Sequence, residues 1–239
     1  METTTLPDAG VIIVAAGRGT RMGTKESKQF LSLRDKPIIV HTLEVFDRHP
    51  VIREMVLVTG EQDVERCRAW IAEYGITKKI KVIPGGAERQ HSVYRGLREI
   101  GTPWVLVHDG VRPFVTSGQV TSCYEAAVRH GAAILAVPVK DTIKQADARG
   151  QVTGTPDRTS LWAVQTPQAF RRSDLLRAHE DAEADGFIGT DDAMLIERIG
   201  LPVFLAEGSY RNIKITTPED LDVAEIFIKR QENQGRDNS

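Results

Sequence analysis

The chain has 239 residues, with 31 lysines and arginines against 33 aspartates and glutamates, a formal net charge of −2 and 41% hydrophobic residues. That balance predicts one large globular domain over residues 1–232, closed by a polar tail at 233–239. It excludes the broad basic excess of a nucleic-acid binder, and no stretch approaches the ~18 apolar residues of a membrane span.

In chain order, the apolar runs VIIVAA (11–16), EMVLVTG (54–60), KIKVIPGG (79–86), PWVLVHDG (103–110) and AAILAVPV (132–139) read as strands buried on both faces, the mark of a largely parallel sheet. Between them the spacing of Ile38, Leu43 and Phe46, of Val64, Cys67, Trp70 and Ile71, and of Val93, Leu97 and Ile100 predicts crossover helices. Pro37 suits the first turn of the first helix, and Thr116 or Ser117 caps a fourth that carries Val120, Tyr124 and Ala127. The fold class is α/β, a mostly parallel twisted sheet flanked by helices.

After Val139 the alternation breaks, and the stretch from KDTIK to TPQAF reads as a hairpin too polar to be central. Such an arm, about residues 139–160, is marginal alone in water and needs another surface, such as that of a second subunit. Two helices follow near 172–185 and 190–199, then strands VFLAEG and NIKIT, and a closing helix begun by TPEDL. His108 reads as a packed strand residue rather than a base, and His49, His130 and His179 as surface positions. The start METTTLPDAG lacks the cationic and apolar regions of a secretory signal, and Cys67 and Cys123 are too far apart in the chain to outline a disulfide framework or zinc cluster. A cytoplasmic location is expected.

The first strand runs into AAGRGTRMGTKESKQF (15–30). A dinucleotide fingerprint fails there because Met22 stands where the third glycine belongs, and a Walker A loop fails because Gly23 is followed by Thr24. Small Ala15, Ala16, Gly17 and Gly19 nevertheless let backbone N–H groups approach a ligand, while Arg18, Arg21, Lys25 and Lys28 supply positive charge. Fork-like guanidinium and mobile ammonium together suit a reacting phosphoryl group.

A-A-G-x-G-x-R-M followed by K-Q-F resembles the opening of the GT-A-like nucleotidyltransferases that make cytidine diphosphate compounds. GGAERQHSV (85–93), VHDGVRPF (107–114), AVPVKDTIK (136–144), LWAVQTPQAF (161–170), GTDDA (189–193) and NIKITTPEDL (212–221) closely resemble the 2-C-methyl-D-erythritol 4-phosphate cytidylyltransferase family, in family order and over nearly the whole chain. The resemblance implies a GT-A-like fold with a protruding hairpin arm, and transfer of a cytidylyl group from CTP to methylerythritol phosphate with release of pyrophosphate in the non-mevalonate isoprenoid pathway. It implies Arg21 and Lys28 as catalytic groups, and Ala15, Ala16, Gly17, Gly19, Gly85, Gly86 and Ser92 around the nucleotide. It places Asp109, Gly110, Arg112, Thr190 and Lys214 at the substrate, with Asp109 also toward Mg2+ or another divalent cation. Thr142 and Arg158 would come from a neighbouring subunit's exchanged arm, making a homodimer. Three positions depart from what relatives carry: Ser27 where proline is common, Ala87 where an acid is common, and Arg211. Two other readings are a ribitol 5-phosphate cytidylyltransferase and a nucleotide-binding protein without turnover, the second disfavoured by the presence of both Arg21 and Lys28.

Overall fold

A computed structural model describes residues 6–17 and 26–237. The strands are β1 (Ala9–Ala15), β2 (Ser32–Leu33), β3 (Lys36–Pro37), β4 (Ile52–Thr59), β5 (Lys79–Pro84), β6 (Trp104–Asp109), β7 (Ala132–Pro138), β8 (Gln145–Ala146), β9 (Val152–Gly154), β10 (Trp162–Arg171) and β11 (Phe204–Glu207). The helices are α1 (Ile38–Asp47), α2 (Val64–Glu73), α3 (Arg89–Glu99), α4 (Ser117–His130), α5 (Arg172–Ala184), α6 (Asp192–Arg198) and α7 (Pro218–Asp237).

Seven strands form one sheet in the order β11-β7-β10-β6-β1-β4-β5. All neighbours are parallel except at β10, which runs antiparallel to both β6 and β7. Alternate residues of the central strands feed opposite faces, as the two-residue period of a strand requires. Val11 and Ile13 join Leu57 and Leu106 beneath α1, α2 and α4, while Ile12 joins Val56, Val58 and Val107 beneath α3, α5 and α6. A smaller core of Leu33, Ile38, Val111, Phe114, Ile215 and Ala224 seats α7 beside the end of β6. Thr116 caps α4, its hydroxyl accepting from Gln119 N at 3.3 Å.

Several elements differ from the sequence reading. LWAVQTPQAF is not part of a peripheral hairpin but the central strand β10, because its polar members are satisfied inside: Gln165 Nε2 donates to Ser209 O (2.8 Å) and Gln168 Nε2 to Asp191 Oδ2 (2.8 Å). The polar arm is reduced to the two-stranded β8–β9 ribbon. KIKVIP forms β5 at the sheet edge and so is half-exposed rather than buried on both faces. NIKIT is not a strand; it packs as an irregular segment in which Ile215 N donates to Val111 O at 3.0 Å. Helix α7 continues through residues read as tail. His49 and His179 are buried, not on the surface: His49 Nε2 lies 3.1 Å from Thr121 Oγ1, and His179 Nε2 lies 3.2 Å from Asp192 Oδ1. His130 is exposed.

Candidate active site

Parallel strands bring their carboxyl ends to one edge of the sheet, where loops rather than strand partners take up the backbone. At that edge β1 ends in Ala15, β5 leads into Gly85 and Gly86, and β6 ends in Asp109. Gln29, which is buried, donates through Nε2 to Ala15 O (2.7 Å) and Gly17 O (3.3 Å), drawing these carbonyls toward itself. A cradle for an anion needs that arrangement, since carbonyl oxygens would repel it. A side chain at Gly85 would place its Cβ 2.4 Å from that of Ala16, so the two loops touch only because residue 85 is glycine. Gly85 N–H donates to Thr59 O (2.8 Å), Gly85 O accepts from Arg95 Nη1 (2.6 Å), and Gly86 N–H donates to the Ser92 hydroxyl (3.0 Å). Ser92 in turn donates to Glu88 O at 3.1 Å.

These loops enclose a cleft of about 290 Å³ lined by Ala16, Gly17, Lys28, Gly86 and Ser92. A second hollow of about 310 Å³, lined by Arg112, Gln165, Thr166, Gln168 and Thr190, adjoins it. Arg89, Asp109 and Lys214 line both. A larger hollow of about 480 Å³ beside α2 and β5 has aliphatic walls with Arg68 and Lys81, each paired with a surface glutamate, Glu65 at 2.6 Å and Glu99 at 2.8 Å.

Asp109 is the electrostatic centre. Its carboxylate meets Lys214 Nζ at 2.9 Å, Arg89 Nε at 3.4 Å and Arg112 Nε at 3.5 Å. Burial would raise its pKa, but Arg89, Lys214 and Arg112 outweigh burial and hold the carboxyl well below the usual carboxylate range. Arg89, Arg112 and Lys214 thus meet at Asp109, with a second carboxylate, Asp192, also holding Arg89 at 2.7 Å, and their N–H groups line the seam between the hollows as donors that suit phosphate oxygens. Behind the seam, Asp109 N–H donates to Thr166 Oγ1 (3.1 Å), Thr166 Oγ1 lies 3.0 Å from His108 Nδ1, and His108 Nε2 lies 3.1 Å from Arg112 O. A carbonyl only accepts, so His108 carries its proton on Nε2 and takes the threonine hydroxyl at Nδ1. Burial pushes the His108 pKa down to about 4, which makes it a neutral strut rather than a base near neutrality.

The family description "2-C-methyl-D-erythritol 4-phosphate cytidylyltransferase" matches residues 9–230. The chain belongs to this family. Proteins of that name from Bacillus velezensis and Geobacillus kaustophilus are each 52% identical to it, over 223 and 218 residues, covering 92% and 91% of this chain and 96% and 95% of theirs. Among solved structures, the 4-diphosphocytidyl-2C-methyl-D-erythritol synthase of Anaerococcus prevotii superposes with a TM-score of 0.83 at 31% identity, covering 93% of this chain and 99% of that one. The Thermus thermophilus 2-C-methyl-D-erythritol 4-phosphate cytidylyltransferase gives 0.74 at 34% identity, covering 91% and 98%.

Of the residues that family resemblance singles out, Ala16, Gly17, Lys28, Gly86, Ser92, Asp109, Arg112, Thr190 and Lys214 line the two hollows. Arg21 and Gly19 lie outside the described residues, as do Arg18 and Lys25. Ala15 and Gly85 support the cleft from behind, and Gly110 packs beneath it, its N–H donating to Val14 O and its carbonyl accepting from Thr42 Oγ1. Thr142 and Arg158 line neither hollow; both are exposed on the arm, where Arg158 Nη1 donates to Lys140 O. Sequence reasoning missed Gln29, Arg89, Thr166 and Asn212, although all four sit inside the quoted motifs. Asn212 is fully buried and donates to Thr166 O at 2.9 Å, pinning the segment that carries Lys214.

Proposed function

We propose that this enzyme of the cytidylyltransferase class transfers the cytidylyl group of CTP to 2-C-methyl-D-erythritol 4-phosphate, giving the 4-diphosphocytidyl product and pyrophosphate for isoprenoid synthesis. The observation that carries the reading is Asp109 ringed by Arg89, Arg112 and Lys214 where the two hollows meet. CTP occupies the side of Gly17, Gly86 and Ser92, and the acceptor phosphate the side of Arg112, Thr190 and Lys214. The acceptor's phosphate oxygen attacks the α-phosphorus in line, the bond to the bridging oxygen breaks, and pyrophosphate leaves with the bonding pair. The attacking phosphate is already ionised, so no general base and no covalent nucleophile is required. What the protein supplies is alignment and positive charge for the oxygens that gain charge in the transition state. Lys28 lines the nucleotide side, and family resemblance gives Arg21 the same role toward the phosphates.

A divalent cation, Mg2+ by preference of its hard oxygen ligands, fits this donor set through Asp109. Among the described residues no three acidic, histidine or cysteine side chains converge, so the ion would be held by Asp109 and the nucleotide phosphates together. When bound, such an ion would supply neutralisation of phosphate charge; Arg89, Arg112 and Lys214 align the two substrates.

The exposed arm supports a homodimer. Val152 is 56% exposed and Trp162 38%, and Ile143, Val164 and Tyr210 are exposed beside them, a dispersal of apolar surface that a partner would cover. Thr142 and Arg158 would then complete the partner's acceptor side. Among the described residues no helix is long and apolar enough to cross a membrane, and both cysteines are free thiols, in keeping with a cytoplasmic setting.

Pyrophosphate release by the purified protein with CTP and Mg2+ tests the reading, with methylerythritol phosphate, ribitol 5-phosphate or no acceptor. Release confined to methylerythritol phosphate is expected, and near-normal turnover in Lys28→Ala and Arg21→Ala would refute the roles given to those cations. Release only with ribitol 5-phosphate would reassign the acceptor, and no release with either would return the protein to nucleotide binding alone.

A further inference from the structure

Asp192 is buried to 1% side-chain exposure, and its Oδ2 holds Arg89 Nη1 at 2.7 Å. Its other oxygen lies 3.2 Å from Nε2 of His179, equally buried, whose ring stacks on Tyr94 with 8° between the planes. Arg89 is held more loosely by Asp109, at 3.4 Å from Nε. Sealing an ion pair from water costs desolvation that its attraction barely offsets, so stability alone is a poor account of why the chain builds it.

The geometry offers a better one. Arg89 opens α3 on the nucleotide side and Asp192 opens α6 on the acceptor side, so the pair ties the two walls of the site together. Arg89 lines both hollows, and its Nη2 has no partner among the described residues. We propose that Asp192 and His179 are positioning residues that hold the Arg89 guanidinium across the seam, where its remaining N–H groups fix the nucleotide and acceptor phosphates relative to one another. Without them Arg89 falls back on Asp109, the only other carboxylate it contacts among the described residues, and neutralises it. A planar guanidinium suits the task because one carboxylate can orient it while other N–H groups still face a phosphate.

The inference rests on the cytidylyl-transfer reading and is tested by a double-mutant cycle: unaltered protein, Arg89→Met, Asp192→Asn and the double variant, each checked by thermal melting. Each single change is expected to lower kcat/KM for both substrates by ~10- to 100-fold, the scale of a small misplacement of a reacting group. Because Asp192 acts through Arg89, the double variant is expected to be no slower than Arg89→Met. Full activity in either single variant, or an undiminished Asp192→Asn loss in the Arg89→Met background, would overturn the proposal. Should Asp192→Asn not fold, His179→Phe takes its place in the cycle under the same criterion, since it keeps a ring against Tyr94 and removes the donor to Asp192. Failure of the reaction reading would show separately, as no pyrophosphate release from the unaltered protein. The cycle would then be read on CTP affinity by calorimetry, where additive losses would count against the proposal.

Discussion

Lowering the pH from 7.5 to 4 should weaken this protein through His108, and the size of the effect follows from where that ring sits. His108 has no solvent exposure, packs against Phe46 with ring centroids 4.9 Å apart, and is wired between Thr166 and Arg112 O. Burial is the main cause that moves its pKa from 6.5 down to about 4, with Asp109 and the Arg112 carbonyl only partly opposing it. Between those values the unfolded chain binds a proton that the folded chain refuses, so stability falls as pH drops through this window. At ~1.4 kcal/mol per pH unit the loss attributable to this one side chain is about 3 kcal/mol, a large share of the margin of an ordinary domain. The assay is urea unfolding of the unaltered protein and His108→Gln at several pH values. Burial lowers the pKa of His41 and His49 too, and their contribution is common to both proteins, so the difference between the two curves isolates His108. His108→Gln should be weaker at pH 7.5, having lost ring packing and one hydrogen bond, yet show the shallower decline toward pH 4. Parallel curves would refute the buried neutral histidine.

Three further outcomes are expected. Mixing Lys28→Ala with Arg158→Ala, each inactive alone, should restore about a quarter of full activity if sites are shared between subunits, because half of randomly re-formed dimers carry one intact site of two; no recovery after subunit exchange, shown by tagged chains, would refute the exchanged arm. Gly85→Ala forces its Cβ within 2.4 Å of Ala16, so it should destabilise by ~1–3 kcal/mol and raise the KM for CTP more than that for the acceptor, as read from melting and steady-state kinetics. Cys67 and Cys123 are buried, and burial pushes their thiols up to about 11 and about 12, so a thiol reagent at pH 8 should label neither until denaturant is added.

What the chain spells out locally is the parallel core and the chemistry that gathers at its edge. VIIV, MVLV and WVLV are apolar through both strand faces, and Gly85, Asp109 and Lys214 stand at the ends of such runs or in motifs whose order matches one family. Elements whose polar residues are satisfied by distant partners were not legible. Gln165, Thr166 and Gln168 make β10 look peripheral until Ser209, His108 and Asp191 arrive from elsewhere in the chain to bond them. The same holds for NIKIT, whose β-branched residues suggest a strand but whose Asn212 is claimed by Thr166 and whose lysine is drawn to Asp109. His179 reads as a surface residue because nothing near it in sequence announces Asp192, thirteen residues on in the hydrogen-bonded pair, or Arg89 beyond it. The sequence by itself determined the layered α/β class and the family. Only the tertiary structure decided which cations surround Asp109 and that Arg89 spans both hollows, because burial and pairing of charge depend on segments brought together from across the whole chain.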